Sequence, residues 1–331
     1  MASCNLRSAG IKGIGAYLPK RILTNADLQK LVETSDQWII ERTGIRERRI
    51  ASKDETAATL GTKAAMEAIT DAGMSPTDVQ CVIVATITPD YIFPATACLI
   101  QDALGANGAA AFDLLVGCTG FVYGLVIASQ MVSCGAFENV LVIGTDVFSR
   151  FINWRDRRTC VLFGDGAGAA VIAPVDDGCG LLGFDLGSDG SGSNLLKIEA
   201  GGSYRPASVM SLLEEAHSLT MNGSEVFRFA VRAMAESTKR ALQACGLDTS
   251  HVNLFVPHQA NMRIMQAAAE RLQIPLERMF VNVDRYGNTS AASIPIALAE
   301  AKKLGIVKRG DIVVCTSFGG GLSWASCVLR W

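Results

Sequence analysis

Residues 112–121 read FDLLVGCTGF, a stretch in which an apolar strand turns sharply at Gly117 and a helix begins at or just after Cys118. The strand is almost continuously apolar, which is typical of a strand that helices cover on both faces of a mostly parallel sheet. The sequence therefore predicts an α/β fold with Cys118 at the carboxyl end of a strand, the place where open α/β sheets bind their ligands.

The same order of elements occurs twice along the chain. Short strands of Val, Ile, Leu and Phe alternate with longer, Ala-rich amphipathic helices, as in parallel sheets with connecting helices. One such helix ends at Gly73 and another at Gly246, and each is followed by a strand, a helix, a second strand, a turn and a further helix. The strands expected from this pattern are residues 82–84, 112–116, 140–143, 254–256, 280–283 and 312–314.

This repetition predicts a duplicated unit, with residues 1–175 as an N-terminal half and residues 176–331 as a C-terminal half. The Gly-, Asp- and Ser-rich stretch 178–192 lies nearest to the junction. The turn at Cys118 is then equivalent to the turn at Asn288. If the halves pack about a pseudo-twofold axis, matching turns meet at the centre, and we expect Cys118 and Asn288 to face each other.

Composition limits the classes of protein that fit. The 331 residues suffice for two units with a core each. The hydrophobic fraction of 49% and the charged fraction of 19% indicate a compact globular chain. The formal net charge of −2 gives no electrostatic reason to expect nucleic acid or an anionic membrane as a partner. Because no uninterrupted apolar run reaches about 18 residues, we expect no membrane span.

The ten cysteines do not form a disulfide or zinc pattern. Seven of them lie in or beside apolar stretches, where a thiol behaves as a small hydrophobic side chain. No pair has the spacing of a zinc site, and no charged-then-apolar signal segment begins the chain. Free thiols without export signals indicate a cytoplasmic protein and no metal site. The seven are Cys81, Cys98, Cys134, Cys160, Cys245, Cys315 and Cys327.

Three residues at strand ends or turns are candidates for chemistry. At a helix N-terminus the dipole would favour the thiolate of Cys118, although another buried, inert cysteine is the alternative. His258 directly follows the predicted strand 254–256, and it could instead be a structural histidine. Asn288 could be an ordinary helix cap, but the repeat places it in the turn equivalent to that of Cys118.

Cys, His and Asn together fit two chemistries. In a cysteine hydrolase the histidine is the base and the asparagine orients it. In a thioester condensation both side chains donate hydrogen bonds to a developing oxyanion. The glycine stretches 164–168 and 319–321 lack the spacing and the lysine of a phosphate loop, so tight packing or oxyanion contact is the better interpretation.

Several motifs in one order resemble the β-ketoacyl-[acyl-carrier-protein] synthase III family, the initiating condensing enzymes of dissociated fatty-acid synthesis. The resemblance runs from about Ala9 to Trp331. The motifs that carry it are residues 36–49, 117–121, 163–169, 257–261 and 287–293. A lone cysteine or a lone GDGAG would not be specific, whereas this combination is.

The resemblance implies a thiolase-like α/β fold, with a duplicated αβαβα five-layer arrangement, two mixed sheets and a homodimeric assembly. It also implies a reaction. Cys118 would accept the acyl group of an acyl-CoA primer, such as acetyl-CoA or another short acyl-CoA. Malonyl-[acyl-carrier-protein] would then lose CO2, and its carbanion would attack the acyl-Cys118 thioester. No metal or redox cofactor is implied, only CoA and carrier-protein phosphopantetheine as parts of the substrates.

The resemblance also assigns roles to residues beyond Cys118, His258 and Asn288. The N–H groups of Cys118 and Gly320 would form the oxyanion hole. The residues implied in binding the acyl-CoA are Trp38 and Arg157 at the adenine, Arg42 at a phosphate, Asn261 at the pantetheine tunnel, Gly223, and Phe93 closing the partner's primer pocket. The residues implied in binding the acidic carrier protein are Arg263, Arg228 and Arg271.

Three departures from the family pattern bear on these roles. Larger residues, Leu114 to Val116, precede the nucleophile, an additional Arg158 follows Arg157, and residues 201–216 align poorly. Primer length and branching are not readable from the sequence. A condensing enzyme or acyltransferase of secondary metabolism stays open as an alternative, as do a Cys/His/Asn thioester hydrolase and a scaffold protein that has lost catalysis.

Overall fold

The computed structural model describes residues 6 to 331, so the first five residues of the expected N-terminal half lie outside the described part. The strands of this range are β1 (Ala9–Tyr17), β2 (Arg21–Thr24), β3 (Glu47–Ile50), β4 (Cys81–Ala85), β5 (Ala110–Leu114), β6 (Val140–Asp146), β7 (Gly166–Pro174), β8 (Gly180–Ser188), β9 (Leu196–Ile198), β10 (Leu219–Met221), β11 (Leu254–Pro257), β12 (Ile312–Gly319) and β13 (Ser323–Arg330). The α-helices are α1 (Asn25–Leu28), α2 (Asp36–Thr43), α3 (Ala57–Asp71), α4 (Thr96–Leu104), α5 (Gly120–Ser133), α6 (Val209–Leu213), α7 (Gly223–Ala244), α8 (Met262–Leu272), α9 (Val283–Tyr286) and α10 (Ser293–Lys303).

The first large sheet has the strand order β1-β7-β6-β4-β5. Strand β4 runs parallel to β5 and β6, while β7 runs antiparallel to β1 and β6, so the sheet is mixed. Successive residues of its strands point to opposite faces. Ile83 and Val142 pack in the cluster of α5, whereas Val84 and Ile143 pack in the cluster of α3. Both faces of the sheet are therefore covered by helices, as the apolar strands predict.

The second large sheet repeats this arrangement with the strand order β8-β13-β12-β11. Strands β11 and β12 are parallel, and β13 is antiparallel to both of its neighbours, which are the relations of β4, β6 and β7 in the first sheet. The two sheets therefore have one topology, and the duplicated, mixed arrangement expected from the sequence is confirmed. The boundary at residues 175/176 remains a prediction; β7 ends at Pro174 and β8 begins at Gly180.

The expected strand at residues 280–283 is wrong. The counterpart of β5 is reduced to an isolated parallel bridge between Phe255 and Met279, and α9 begins at Val283. The cause is a side chain from another segment: Gln259 Oε1 accepts hydrogen bonds from the N–H groups of Asn282 and Val283 at 2.9 and 3.2 Å. Those N–H groups are thereby withdrawn from a ladder with β11.

The strand before Cys118 is also shorter at its end than expected. Strand β5 ends at Leu114, and Leu115 lies outside it with 77% of its surface exposed. A 3₁₀ turn over Gly117–Thr119 follows, and α5 begins at Gly120, two residues after Cys118. The other expected strands are confirmed and extend further in the structure.

The elements stack in five layers. Helices α5 and α10 contribute to one hydrophobic cluster together with strands of both sheets, so they form a central layer between the sheets. Helix α3 packs against the outer face of the first sheet, and α7 packs on the outer face of the second with α8 beside it. The order of layers is therefore αβαβα, as expected.

Two close approaches join the halves. A Cβ atom on Gly144 of β6 would lie 2.2 Å from the carbonyl oxygen of Ala291, so glycine is required where the turn of the second half meets the first sheet. At the outer edges, a Cβ atom on Gly180 would lie 2.1 Å from the carbonyl oxygen of Ala9, which places β8 directly against β1. Across residues 6–331, no helix is long and apolar enough to cross a bilayer.

Candidate active site

The turn that carries Cys118 is fixed by backbone conformation and by hydrogen bonds. Gly117 has a φ of +58°, in the left-handed region that favours glycine. The Thr119 hydroxyl donates to the Val116 carbonyl at 2.6 Å, and the Ser317 hydroxyl donates to the Cys118 carbonyl at 2.8 Å. The backbone of Cys118 is therefore tied to β12 of the other half.

Burial is the main influence on the ionisation of Cys118. Burial raises the pKa of the Cys118 thiol to about 12, and a hydrogen bond with Ser290 acts in the opposite direction. The expected stabilisation of a thiolate by the helix dipole is opposed by the removal of the sulfur from water, and α5 begins two residues after Cys118. Attack on a thioester from the thiol form needs a group that takes the thiol proton.

His258 stands at the carboxyl end of β11 with a buried, neutral ring. The backbone N–H of His258 donates to the Thr316 carbonyl at 2.8 Å, and the ring makes an edge contact with Phe318 at 5.5 Å between centroids. Burial lowers the pKa of His258 to about 3. Neither ring nitrogen has a hydrogen-bond partner within residues 6–331, although the side chain is 1% exposed. Unpaired buried nitrogens are costly, so they favour the expected role of His258 as a donor to a substrate over a structural role.

Two consecutive residues of β12 form hydrogen bonds with the backbones of His258 and Cys118. Thr316 accepts the hydrogen bond of the His258 backbone, and Ser317 donates to the Cys118 carbonyl. The glycines that follow lie against the same turn: a Cβ atom on Gly117 would be 3.5 Å from the Gly320 nitrogen. This proximity fits the expected role of the Gly320 N–H as an oxyanion donor beside Cys118.

Asn288 is locked by the first half of the chain. It forms a parallel bridge with Phe163, donating from its N–H to the Leu162 carbonyl at 2.9 Å and accepting at its carbonyl from Gly164 at 3.0 Å. Its Oδ1 accepts from the Ser290 N–H at 2.9 Å, so its Nδ2 is the group left to donate. Asn288 is not the N-cap residue of α10, which begins at Ser293, but its Oδ1 binds the first N–H of the 3₁₀ turn before that helix, so a capping role is compatible with the structure.

The two equivalent turns meet as expected. Ser290, two residues after Asn288, places its Oγ 3.4 Å from Cys118 Sγ. Ser290 has a φ of +53°, an unfavourable conformation for a residue with a Cβ atom. Sequence reasoning did not single out Ser290 or its neighbour Asp146, because both have the appearance of ordinary polar residues at turns. The position of Asp146 at the carboxyl end of β6 is the signal that could have found it.

The residues expected at the adenine come together on the surface. The guanidinium carbons of Arg157 and Arg42 lie 5.4 and 5.8 Å from the Trp38 ring centroid. The extra Arg158 is engaged elsewhere, since its Nε and Nη2 atoms bind the Asp156 carboxylate at 2.9 and 3.0 Å. An indole with two cations beside it can bind an aromatic, phosphorylated group.

Asn261 has a structural use that the sequence did not reveal. It is the N-cap of α8, its Oδ1 accepting from the Arg263 N–H at 2.8 Å, and its Nδ2 donates to the Arg42 carbonyl at 3.0 Å. Gly223 begins α7, after the cap Asn222. Asn261 thus ties two of the expected substrate-binding segments together.

The three arginines expected at the carrier protein differ in their partners. Arg228 pairs with Glu225, and Arg271 Nη2 lies 3.9 Å from Glu236 Oε1. Arg263 lies over the Phe227 ring, with 5.9 Å from its guanidinium carbon to the centroid, and it has no ion pair within residues 6–331. Arg263 therefore has the guanidinium most available to an acidic partner.

Phe93 is 88% exposed in the single chain, and Ile92 beside it is 90% exposed. The alternative of a core aromatic is therefore wrong, and Phe93 is free to reach a second subunit. For metals the finding is negative: no group of three or more His, Cys, Asp or Glu within residues 6–331 is arranged to hold an ion.

Comparison with known proteins gives consistent matches. Residues 112–190 match the family described as 3-oxoacyl-[acyl-carrier-protein] synthase III, and residues 242–331 match its C-terminal part. The β-ketoacyl-[acyl-carrier-protein] synthase III of Caldanaerobacter subterraneus is 52% identical over 328 residues, covering 99% of each chain.

Two solved structures are similar over nearly the whole chain. That of 3-oxoacyl-[acyl-carrier-protein] synthase III from Aquifex aeolicus has a TM-score of 0.90 at 48% identity, covering 98% of this chain and 100% of the other. The priming β-ketosynthase of a polyketide biosynthetic pathway has a TM-score of 0.92 at 35% identity, covering 99% and 98%.

Proposed function

The chain belongs to the β-ketoacyl-[acyl-carrier-protein] synthase III family, and from this we propose that Cys118, His258 and Asn288 carry out the condensing reaction of the family. The enzyme is an acyltransferase that condenses an acyl-CoA primer with malonyl-[acyl-carrier-protein] and so initiates fatty-acid synthesis. The observation that carries the assignment of residues is the meeting of the Cys118 and Asn288 turns, with Ser290 Oγ 3.4 Å from the sulfur.

In the first half-reaction, Cys118 Sγ attacks the carbonyl carbon of the acyl-CoA. The tetrahedral oxyanion accepts hydrogen bonds from the N–H groups of Cys118 and Gly320, and CoA leaves as the thiol. Preorganised backbone donors suit this step because they need no reorganisation as charge develops. The preceding Gly319 lets the backbone approach the turn of Cys118, because a Cβ atom there would lie 2.9 Å from the Cys118 nitrogen.

In the second half-reaction, the thioester oxygen of malonyl-[acyl-carrier-protein] becomes negative as CO2 leaves. A neutral His258 can donate one N–H to that oxygen, and Asn288 can donate from Nδ2 because its Oδ1 is already bound to Ser290. The carbanion then attacks the acyl group on Cys118 and releases the thiol. The proposed chemistry needs no metal or redox cofactor, since both charges are stabilised by hydrogen-bond donors.

We place the acyl-CoA at Trp38, Arg42 and Arg157, whose cation–ring arrangement suits adenine and phosphate. The acidic carrier protein would bind first at Arg263, which is free of ion pairs in the described part of the chain, with Arg228 and Arg271 beside it on α7 and α8. Asn261, Gly223 and Phe93 keep their proposed places along the pantetheine and primer pocket.

A homodimer is the assembly that these surfaces favour. Strand β5 is an edge of the first sheet, and the loop with Ile92 and Phe93 and the side chain of Leu115 are all exposed beside or after it. Unprotected edges with apolar neighbours are pairing sites, because their N–H and C=O groups lack partners. We also place the enzyme in the cytoplasm, since buried cysteines such as Cys81, Cys160 and Cys315 are free thiols.

The test of the function is intact-protein mass spectrometry after exposure to a panel of acyl-CoAs, with and without malonyl-[acyl-carrier-protein]. We expect one acyl group on Cys118, preferentially a short one, which disappears when the malonyl substrate is added. Release of free acid without the malonyl substrate would favour a thioester hydrolase. Absence of any acyl-Cys118 would mean that the proposed nucleophile is wrong.

The similarity to a polyketide priming synthase favours one second candidate, the priming of a secondary-metabolite pathway. The same chemistry would serve it, so the pathways are distinguished by carrier protein. We expect faster turnover with a fatty-acid carrier protein than with a polyketide carrier protein, measured with the same primer.

A further inference from the structure

The hydrogen-bond partner of the Cys118 sulfur is Ser290 and not the histidine. Ser290 Oγ lies 3.4 Å from Cys118 Sγ, whereas both ring nitrogens of His258 lack a partner within residues 6–331. A thiol that acts as a nucleophile has to lose its proton, and the group in contact with the sulfur is the first candidate to receive it. In this structure that group is the Ser290 hydroxyl.

Behind Ser290 lies a buried carboxylate. Asp146 ends β6, is 0% exposed, and its Oδ1 accepts hydrogen bonds from Thr86 and Thr88 hydroxyls at 3.1 and 2.8 Å and from the Ile87 N–H at 2.9 Å. These donors hold the carboxylate in one orientation within the first half of the chain. They leave the other oxygen, Oδ2, directed toward the second half.

The second oxygen faces the turn that carries Ser290. Oδ2 accepts from the Ala291 N–H at 3.3 Å, so the carboxylate adjoins the turn that carries Ser290. Burial raises the pKa of Asp146, and the nearby Ser290 side chain acts in the opposite direction. Because an ionised carboxylate only accepts hydrogen bonds, a Ser290 proton turned toward Asp146 leaves the Ser290 oxygen to accept from the thiol. Ser290 therefore contacts the Cys118 sulfur from a turn that the Asp146 carboxylate binds.

The backbone of Ser290 is held in place at a conformational cost. Its φ of +53° is unfavourable for a non-glycine residue, and its N–H is bound to Asn288 Oδ1 at 2.9 Å. Glycine would adopt this conformation freely, so the retained serine indicates a use for its hydroxyl.

We propose that Ser290 and Asp146 form a proton relay for Cys118 in the acylation half-reaction, an inference that rests on the proposed function. As Sγ bonds to the acyl carbon, the thiol proton passes to Ser290 Oγ and the Ser290 proton passes to Asp146 Oδ2. The bond from the acyl carbon to the CoA sulfur then breaks, and the proton returns through Ser290 to that sulfur. CoA leaves as a thiol, so no further reactant is consumed.

The pKa shifts at the site support Asp146, and not His258, as the proton acceptor in acylation. Burial lowers the pKa of His258 to about 3, which makes it a poor proton acceptor, and burial raises the pKa of the Asp146 carboxyl, which makes it a better one. No lysine, arginine or histidine within residues 6–331 forms an ion pair with Asp146, and Cys118 is the titratable group that faces it. His258 and Asn288 are thereby left for decarboxylation, and Ser290 with Asp146 serves acylation.

The test compares two variants in the two half-reactions separately. Ser290→Ala removes the hydroxyl, and Ser290→Gly removes it while suiting the positive φ, so a loss shared by both is due to the hydroxyl. In single-turnover acylation of the full-length protein by acetyl-CoA, we expect both variants to lose about 10²-fold, a usual contribution of proton transfer. Release of CO2 from malonyl-[acyl-carrier-protein] should stay within about threefold of wild type.

The matched control is Ser129→Ala on α5. Ser129 is 1% exposed with a hydroxyl that has no hydrogen-bond partner in the described part of the chain, so its loss should leave both half-reactions unchanged. A second readout is the solvent deuterium isotope effect on acylation. A relay with two protons in motion predicts an effect in wild type that both Ser290 variants reduce or lose, which a merely structural serine would not change.

Three outcomes would contradict the proposed relay, and a fourth would contradict the proposed function itself. Acylation of both variants at the wild-type rate would overturn it, and so would equal loss of acylation and decarboxylation, which would mean that Ser290 only holds Asn288. A loss in Ser290→Ala that Ser290→Gly restores would assign the effect to the backbone and also overturn it. If wild-type protein itself never acquired an acyl group on Cys118, the proposed function would fail before the relay was reached.

Discussion

Among single residues, Cys118 gives the strictest test of the proposed mechanism, because its sulfur is the proposed nucleophile. Cys118→Ser should abolish acylation and condensation while the fold stays intact, because a serine hydroxyl is a much weaker nucleophile without a strong base. Mass spectrometry of the protein after exposure to acyl-CoA measures this, with Cys98→Ser, an exposed free thiol, as the control. A stable acyl adduct on Cys118→Ser would contradict the role of Cys118.

Asn288 separates the two half-reactions. Asn288→Ala should lower the rate of condensation by about 10²–10³, the cost of one oxyanion donor, while acylation of Cys118 survives. The exposed Asn194→Ala serves as control, since Asn194 is remote from the catalytic turns in its hydrogen bonding and contacts Lys197. Parallel loss of acylation would instead show that Asn288 is structural, or that it orients His258 as in a hydrolase.

The buried His258 makes stability depend on pH. Its pKa in the folded protein is about 3, below the ordinary value of 6.5, so the unfolded state binds more protons between these values. Stability is full above pH 6.5 and falls as the pH is lowered toward 3. At pH 5 the lost free energy of unfolding from this residue is about 2 kcal/mol. Urea unfolding at pH 7 and pH 5 should therefore show a smaller drop for His258→Gln than for wild type; an equal drop would mean that the ring is protonated in the fold.

At the level of elements, β6 and the turn after Asn288 fit together without room for a side chain. Gly144→Ala would place a methyl group 2.2 Å from the Ala291 carbonyl, and backbone cannot rotate away as a side chain can. We expect a loss of about 1–3 kcal/mol in the free energy of unfolding, as for overpacked cores, together with slower condensation. Gly190→Ala is the matched control, because its Cβ atom would meet nothing within 4 Å. Equal stability of the two variants would mean that the turn can shift at little cost.

Elements were predictable where local pattern and tertiary contact agree. The apolar run before Cys118 gave a strand, a turn and a helix because its own residues favour each of them. Residues 280–283 carry a similar strand signal, but Gln259 binds their N–H groups from a distant segment, and local sequence does not contain that contact. Asp146 and Ser290 were missed for the same reason, since their chemistry arises only when β6 and the 3₁₀ turn after Asn288 meet.

For the molecule as a whole, the proposed role of Phe93 connects primer specificity with assembly. A bulky ring that enters from the partner subunit would limit primer length by steric exclusion, because each added methylene gains only about 1–3 kcal/mol of binding. Phe93→Thr should shift the preference toward longer acyl-CoAs in the dimer. The measurement is kcat/KM across a primer length series, with sedimentation to verify the oligomeric state.

The neighbouring Ile92→Thr is the control for this prediction, because Ile92 is equally exposed on the same loop. We expect its length profile to match that of wild type. Leu115, 77% exposed just after β5, could also limit the pocket from the other side. An unchanged profile in an intact Phe93→Thr dimer would therefore assign the gate to another residue.

The shortened fifth strand of the second sheet bears on how many copies the proposed assembly can hold. The two large sheets have four edges: β1 and β8 cover each other at Gly10 and Gly180, β11 is bridged at Met279, and β5 is the one left open among residues 6–331. A subunit with one open edge can pair with one other copy by strand addition, so assembly ends after that single pairing. Loss of the Gln259 hydrogen bonds would create a second open edge beside β11. Each subunit would then pair with two others, which permits linear polymers.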